Sequence, residues 1–465
     1  MKKILFKYKY FLFLFFLVFC VYNFMIVEKS FLKISILITV PIFYICVMQT
    51  INNWEKLGHP KLLDWFKLAS FFVIVIPFYK QINMFNNSHF VIVYNDTPVE
   101  TSNVLIAQLV VLIGVVFLSI GSYFSNLNFT KYNRPKKDFN IRGYYKFVFF
   151  AFLFLLVKIY LNLINLTGFG SDGGSDSFGL LTQIINSVSN IFFVVISFFK
   201  FKKEYKNINI IFYVFLFINL FLGLLSGMKE NVIVPLIFVL VPYLVNGNKI
   251  KLIHIITPIF LFVFLYPLNN NYREVISIYN NKVVALTIAM DKTLKEFGNK
   301  QSEDTDLLSR YEGLEVLMHG ISIEEEWNHF KYLNRYVYLP VSWILPRVLL
   351  PQKPLNDNGG KLYEIVRGKG STGVSITPST YGWAYLEGGY IPVILSFLLY
   401  GFIISLFEKR LLLTNLNDIV IYTILLASMV KTESDIYFRI NSILQLLFLL
   451  FIFKKLFLTK IKNVN

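Results

Sequence analysis

The sequence predicts an all-α polytopic membrane protein with one large extracytoplasmic loop carrying amphipathic helices. Three observations predict it. Of 465 residues, 55% are hydrophobic, 18% aromatic and only 16% charged; a soluble domain carries roughly 25% charge. Apolar runs of about 17–25 residues recur along most of the chain, each long enough to cross a hydrocarbon core of roughly 30 Å. Between the ninth and tenth of these runs the sequence turns polar and proline-rich, and there the concentrated chemistry lies.

Spans are expected near 10–27, 31–50, 61–79, 103–124, 143–164, 178–199, 208–225, 231–245, 250–267, 383–407, 416–430 and 440–458. The first is too long for a signal-peptide core, lacks an Ala-x-Ala-like site and is followed by further spans, so it reads as a membrane helix. The chain divides into a membrane bundle of about nine spans over 1–267, a loop over 268–382, and a bundle of about three spans over 383–465.

The formal net charge of +17 is distributed in a way that argues against nucleic acid as a partner. Lysine and arginine cluster in alternate loops: Lys2, Lys3, Lys7 and Lys9, then Lys131, Arg134, Lys136, Lys137 and Arg142, then Lys200, Lys202, Lys203 and Lys206, and finally Lys454, Lys455, Lys460 and Lys462. Retention of basic loops on the cytoplasmic side accounts for this alternation. Both termini are therefore expected in the cytoplasm, and the large loop outside. Cys20 and Cys46 fall inside expected spans and read as packing residues. No metal-ligand spacing occurs, so neither a metal nor a cofactor is expected.

The loop at 79–103 is polar. A second outer loop, Thr167 to Asp176, is rich in glycine, but no strand precedes it and no Gly-Lys-Ser/Thr follows, so it reads as a flexible hairpin. The large loop has two parts. From Asn281 to Tyr336 the pattern is helical, with Ser302 to Asp306 suited to a helix start and Leu307 to Leu317 spaced for an amphipathic helix. From Leu339 to Thr380, five prolines and five glycines break regular structure. Such backbone is tolerated near a bilayer where it meets water or lines a cavity.

Cations in this loop suit a phosphate group. Arg273 follows the ninth span, Arg310 lies in an acidic helical stretch, and Arg347 and Lys353 flank Pro351 in a proline-fixed segment. A guanidinium fork matches phosphate oxygens, and a lysine adds a point charge. Singly, each has a plain alternative: Arg273 as an interfacial anchor, Arg310 paired with Glu303, Asp306 or Glu312. Lys229 sits in a short turn between two spans, as an anchor or as a further phosphate contact. Glu387 stands where the chain re-enters the membrane, and a carboxylate there is a candidate acid or base; Glu274, Asp435 and His319 are weaker candidates, the last equally readable as a surface histidine. Glu324 to Glu326 read as a solvated helix start. Trp343, Tyr381, Trp383, Tyr385 and Tyr390 could stack on sugars or serve as interfacial aromatics.

The runs Tyr338-Leu339-Pro340, Leu345-Pro346-Arg347 and Pro351-Gln352-Lys353-Pro354, then Thr377-Pro378-Ser379 and Tyr385-Leu386-Glu387-Gly388-Gly389-Tyr390, resemble the O-antigen/oligosaccharide repeat-unit polymerases of the Wzy type. Gly382-Trp383-Ala384-Tyr385 stands where that family often has Gly-Glu-x-Tyr, so the carboxylate comes later, as Glu387. Ser226-Gly227-Met228-Lys229 resembles a family Gly-x-Arg turn with lysine for arginine, and Arg310 matches an arginine of the loop helix. The motifs cover about 226–235 and 310–390. The resemblance implies a GT-C-like membrane glycosyltransferase of the bacterial inner membrane. It would transfer the growing glycan from undecaprenyl pyrophosphate to the terminal sugar of an incoming lipid-linked repeat, for O-antigen or capsule synthesis. Arg310, Arg347 and Glu387 would be catalytic, and Lys229, Arg273, Lys353, Tyr381 and Tyr385 would bind substrate or pyrophosphate. Implied partners are undecaprenyl-pyrophosphate-linked oligosaccharides, membrane lipids, a chain-length regulator and a flippase.

Two other classes fit parts of the sequence. An O-antigen ligase shares the layout, and a flippase for lipid-linked oligosaccharide suits the span number. A transporter more often shows repeated halves and charges in broken mid-membrane helices, whereas the charges noted here concentrate outside. A reporter active only outside the cytoplasm is expected to work when fused after Phe330 and to fail when fused after Asn465; the opposite pattern would overturn the orientation.

Overall fold

The computed structural model describes residues 9–57, 61–87, 91–94, 97–128, 139–164, 176–205, 207–226, 229–248, 281–298, 313–323, 336–338, 377–411, 415–430 and 434–460, with scattered residues of 267–279 and residues 327, 359, 362 and 413. The protein is a helical bundle. Helix α1 (Lys9–Ile26) is followed by α2 (Ser30–Phe43), which runs through a π turn at Tyr44–Met48 into α3 (Gln49–Leu57). Helix α4 (Leu62–Ser70) runs through a second π turn, Phe71–Val75, into α5 (Ile76–Asn87). A hairpin of β1 (Val91–Tyr94) and β2 (Thr97–Glu100) leads to α6 (Asn103–Asn128). Then come β3 (Phe139–Ile141), α7 (Tyr144–Leu163), α8 (Asp176–Lys202), α9 (Ile208–Leu225) and α10 (Lys229–Val245). The loop region holds α11 (Lys282–Gly298) and α12 (Gly313–Ser322), and the chain ends with α13 (Ser379–Tyr385), α14 (Tyr390–Arg410), α15 (Leu416–Val430), α16 (Ile436–Phe457) and β4 (Leu458–Lys460).

Among the described residues, nine helical stretches are long and apolar enough to cross a membrane, and Asn231–Val245 and Leu416–Met429 are shorter apolar helices. These coincide with eleven of the expected spans. The twelfth, expected at 250–267, falls almost wholly outside the described residues. The π turn at Phe71–Val75 has a local cause. Pro77 lacks an N–H and its ring crowds the carbonyl four residues back, so the helix widens just before it.

Strand β4 pairs antiparallel with β3, Phe139 opposite Lys460 and Ile141 opposite Leu458. The segment before α7 and the end of α16 therefore lie at one end of the bundle. Lys9 bonds Glu55 at 2.8 Å at that same end, which we call the basic end. There Glu408, closing α14, accepts the backbone N–H of Leu62 at 2.9 Å, and Asp64 accepts that of Lys61 at 2.8 Å. These carboxylates satisfy amides at the start of α4 that no helical partner can reach. The opposite end carries α12, α13 and the hairpin, and is the loop end.

Two cores form. One is built from α1 to α6 with α12, α13 and α14, the other from α7 to α10 with β3 and β4. Helices α15 and α16 serve both: Leu425, Met429 and Ile443 face the first, Ile419, Ile424 and Leu450 the second. The helices expected at 383–465 are thus interleaved with earlier ones. Tightest of all is α14 on α6. A Cβ on Gly121 would strike the Leu398 carbonyl, and one on Gly401 would strike that of Leu118. Backbone lies on backbone there, a close approach that small residues permit.

Gly121→Leu and Gly401→Leu are each expected to abolish monodisperse protein on size exclusion in detergent, because backbone must give way and overpacking alone costs about 1–3 kcal/mol. Wild-type elution of either variant would show that this contact is dispensable.

Candidate functional site

The expected tenth span, 383–407, is corrected by the structure. Its first seven residues belong to α13 and a turn, and the long helix begins at Tyr390. The cause is local: Gly388 and Gly389 have φ of +130° and +78°, conformations that glycine adopts without a side-chain penalty. The chain folds into the loop end as a short helix, turns, and only then enters α14.

Helix α13 is buried throughout. Thr380 Oγ1 donates to the Ser434 carbonyl at 2.8 Å and accepts Arg439 Nη2 at 3.1 Å. Arg439, on the first turn of α16, also donates Nε to Ser434 O at 3.1 Å and Nη1 to Ser428 O at 3.2 Å. Its guanidinium lies over the Phe66 ring, 5.2 Å from the centroid, and the whole residue is 2% exposed. One cation thus clasps the end of α15, the link into α16, and α13. Asp435 caps α16, accepting from the N–H of Tyr437 at 2.7 Å.

Tyr381 is fully buried; its hydroxyl donates to Ser70 Oγ at 2.9 Å and its ring stacks on Phe397 at 4.6 Å. Gly114 of α6 makes room for it, since a Cβ there would sit 2.6 Å from Tyr381 Cε1. Tyr381 therefore packs α13 into the bundle and presents no surface to a ligand. Tyr385 is buried, edge-to-face with Tyr390 at 5.5 Å. Glu387 is 1% exposed, a buried carboxylate at the turn between α13 and α14. Beside it Leu386, Trp383, Trp327, Val316 and Leu362 form a small apolar cluster.

Ser379 opens α13 at φ +68°, a left-handed conformation uncommon for a non-glycine residue. Its buried hydroxyl has no hydrogen-bond partner among the described residues. Backbone held this way persists only where its surroundings over-determine it. Pro378 supplies part of that constraint, lying between Gly320 of α12 and Gly382, with Cβ separations of 3.3 and 2.5 Å from their notional side chains. The surface reading of His319 is corrected as well: it is 3% exposed, because α12 is wedged between α6 and α13. Asn103 holds α12 through the Met318 carbonyl at 3.4 Å, and Gln81 bonds Glu315.

Arg273, Arg310, Arg347 and Lys353 lie outside the described residues, as do Trp343, the acidic runs 302–306 and 324–326, and nearly all of the 167–176 hairpin. Lys229 opens α10 at the loop end, its side chain also outside the described residues. Glu274 pairs with Lys292 at 2.6 Å on the surface. The structure thus brings Tyr381, Tyr385 and Glu387 together on one re-entrant segment.

Three cations escaped the sequence reading. Arg439 sits at the edge of an expected span, Lys158 within one, and Lys282 opens α11. A charge inside an apolar run is a site signal by itself, so the first two were findable. Lys282 Nζ donates to the Asn162 carbonyl at 2.7 Å, and burial pushes its ammonium down to about 8.

These features define an all-α membrane protein whose loop end holds a buried re-entrant segment. A family model described as a domain of unknown function (DUF8712) matches residues 157–463, two-thirds of the chain, and the protein belongs to that family. The match takes in the second core from the last third of α7 onward, the loop region and α13 to α16. No curated protein and no solved structure matches the chain.

Arg439→Met is expected to lower stability by about 3 kcal/mol, since it strands polar groups grouped around a buried charge, and Thr380→Val by about 1 kcal/mol. Thermal unfolding in detergent reads both, and a Met variant as stable as wild type would remove Arg439 from this role. Lys282 should titrate early: ammonium below about pH 8, free amine above it. Its acylation by an amine reagent is expected to reach half-maximum near pH 8; a midpoint near that of a free lysine, roughly 10.4, would contradict its burial. Because the folded state releases this proton first, the group's contribution to stability rises as pH increases through that window.

Proposed function

We propose that this protein is a membrane glycosyltransferase that polymerises lipid-linked oligosaccharide repeat units at the outer face of the bacterial inner membrane. The observation that carries the reading is the placement of the motif-bearing segment. Thr377-Pro378-Ser379 and Tyr385 to Tyr390 resemble the polymerase motif, and this stretch is the one folded into the loop end with a buried carboxylate, Glu387. On this reading about twelve spans enclose the lipid tails, both termini are cytoplasmic, and the loop faces outward.

A hydroxyl of the terminal sugar on the incoming repeat attacks the anomeric carbon of the growing chain. The bond from that carbon to the pyrophosphate oxygen breaks, its electron pair leaves with undecaprenyl pyrophosphate, and the hydroxyl proton passes to a base. On this reading Glu387 takes that proton. Charge building on the leaving group needs donors fixed in advance, and Arg310, Arg347 and Lys353, with Arg273 and Lys229, supply them. Tyr385 belongs beside the sugar. Tyr381 acts by seating α13 and not by touching substrate.

In cells lacking the protein, wild type is expected to restore a ladder of surface glycan on a gel, whereas Arg347→Ala and Lys353→Ala leave a single repeat, at least about 100-fold poorer in long chains. Normal ladders from both variants, at matched membrane abundance, would sink the anion assignment. Loss of even the single repeat in the deletion strain would favour a flippase or ligase.

A further inference from the structure

Helix α11 divides along its length into three sectors. Lys282, Ala285, Leu286, Ala289 and Thr293 recur at helical spacing and are buried. Val283, Met290 and Leu294 share a second face and are 52%, 41% and 59% exposed, with Thr287 completing their row. Asp291 and Lys295 form the third sector, paired at 2.7 Å and open to solvent. Ile278, Tyr279 and Val284 add exposed apolar surface at the start of the helix.

The buried sector fixes where this helix lies. Lys282 Nζ donates to the carbonyl of Asn162 at 2.7 Å, the penultimate residue of α7. Helix α7 begins beside β3 at the basic end, so Asn162 marks the loop end of that span. Ala285, Leu286 and Ala289 join a small core with Leu225 and Tyr272. Leu225 closes α9, whose start lies at the basic end, where the Tyr205 hydroxyl donates to Asn140 of β3. Toward the far end of α11, Thr293 accepts Asn271 Nδ2 at 3.0 Å, and the adjacent Tyr272 donates to the Leu225 carbonyl at 2.8 Å. Both ends of α11 are thus tied to places where spans finish, and the helix runs across those ends.

That position puts the exposed apolar row at the edge of the bilayer. Tyr160 and Leu163, near the end of α7, and Phe221, near the end of α9, are themselves exposed apolar residues, as the lipid-facing side chains of a span are. Helix α11 is no span: its 17 residues carry five charged groups, too many for a hydrocarbon core. An apolar row on one side and lysines on the other, at the level where spans end, is the pattern of a helix lying in the interface.

We propose that α11 is an interfacial helix that beds Val283, Met290 and Leu294 in the acyl chains of the loop-side leaflet. Its apolar row sits about 5–10 Å into the boundary between headgroups and chains, and Asp291 and Lys295 stay in water. Bedded so, α11 holds the start of the loop region against the membrane. The proposal depends on the chain spanning a bilayer and on nothing in the glycosyl-transfer reading.

The test places a nitroxide label on Val283→Cys, Met290→Cys, Leu294→Cys, Asp291→Cys and Lys295→Cys, one at a time, in full-length protein in phosphatidylcholine nanodiscs. All five side chains are exposed, so the fold does not depend on them, and wild type, whose Cys20 and Cys46 are buried, controls for background labelling. Collision with molecular oxygen, which concentrates among acyl chains, is compared with collision with a water-soluble nickel chelate. The logarithm of the oxygen-to-nickel ratio is expected to be positive for the Val283, Met290 and Leu294 variants and negative for the Asp291 and Lys295 variants. A negative value at Met290 and Leu294 would show the row open to water and overturn the proposal. Low collision with both reagents there would show the row covered by protein, from this chain or a second copy, and would overturn it equally.

Discussion

Backbone lying on backbone where α6 crosses α14 is the constraint on which the rest depends. Apolar side chains gain little by leaving lipid for a protein interior, so close packing and internal hydrogen bonds must hold such a bundle. Gly121 and Gly401 each let the facing helix approach to its carbonyls. That contact draws the C-terminal third of the chain into the first core and sets where α13 can go. Gly114, on the same face of α6, then receives the Tyr381 ring, which Phe397 of α14 covers from its other side. The re-entrant segment sits in a seat made by two helices whose separation glycine determines.

The second requirement is that no backbone or charged group be left unserved away from water. Most of the polar contacts inside the bundle answer it. Glu408 and Asp64 serve the start of α4, and Asp435 the start of α16. Tyr79 bridges Thr39 at 2.6 Å and Cys20 at 3.0 Å, fastening α5 to α2 and α1. Arg439 belongs to this group, because every hydrogen bond described for it goes to a neutral group that needs a donor. Lys158 differs, since it meets side-chain amides, Asn190 and Asn219, that could have satisfied one another.

Much of the architecture was legible in the sequence because hydropathy and chain length are direct requirements of a bilayer. Eleven apolar helical stretches appear among the described residues close to where they were expected. The departures share a cause: depth and partnership are not local properties. Nothing around His319 in the sequence reports that α12 is wedged between α6 and α13. The aromatic run from Trp383 reads as the start of a span, and Gly388-Gly389 break it only because both adopt positive φ. The strands at 91–94 and 97–100 were read as part of a polar loop, although Asn95-Asp96 after the apolar run Val91–Tyr94 is a turn signal.

From the amino acids alone follow the solvent this chain needs, the sidedness its lysines favour and the loop where its unusual residues collect, since each depends on composition over a few dozen neighbours. Which polar residues work together did not follow. Thr380, Ser434 and Arg439, or Lys158, Asn190 and Asn219, come from separate helices, and their meeting depends on how closely those helices approach. In a membrane that distance is a matter of side-chain volume at contact points such as Gly121 and Gly401, which no single helix carries in its own pattern.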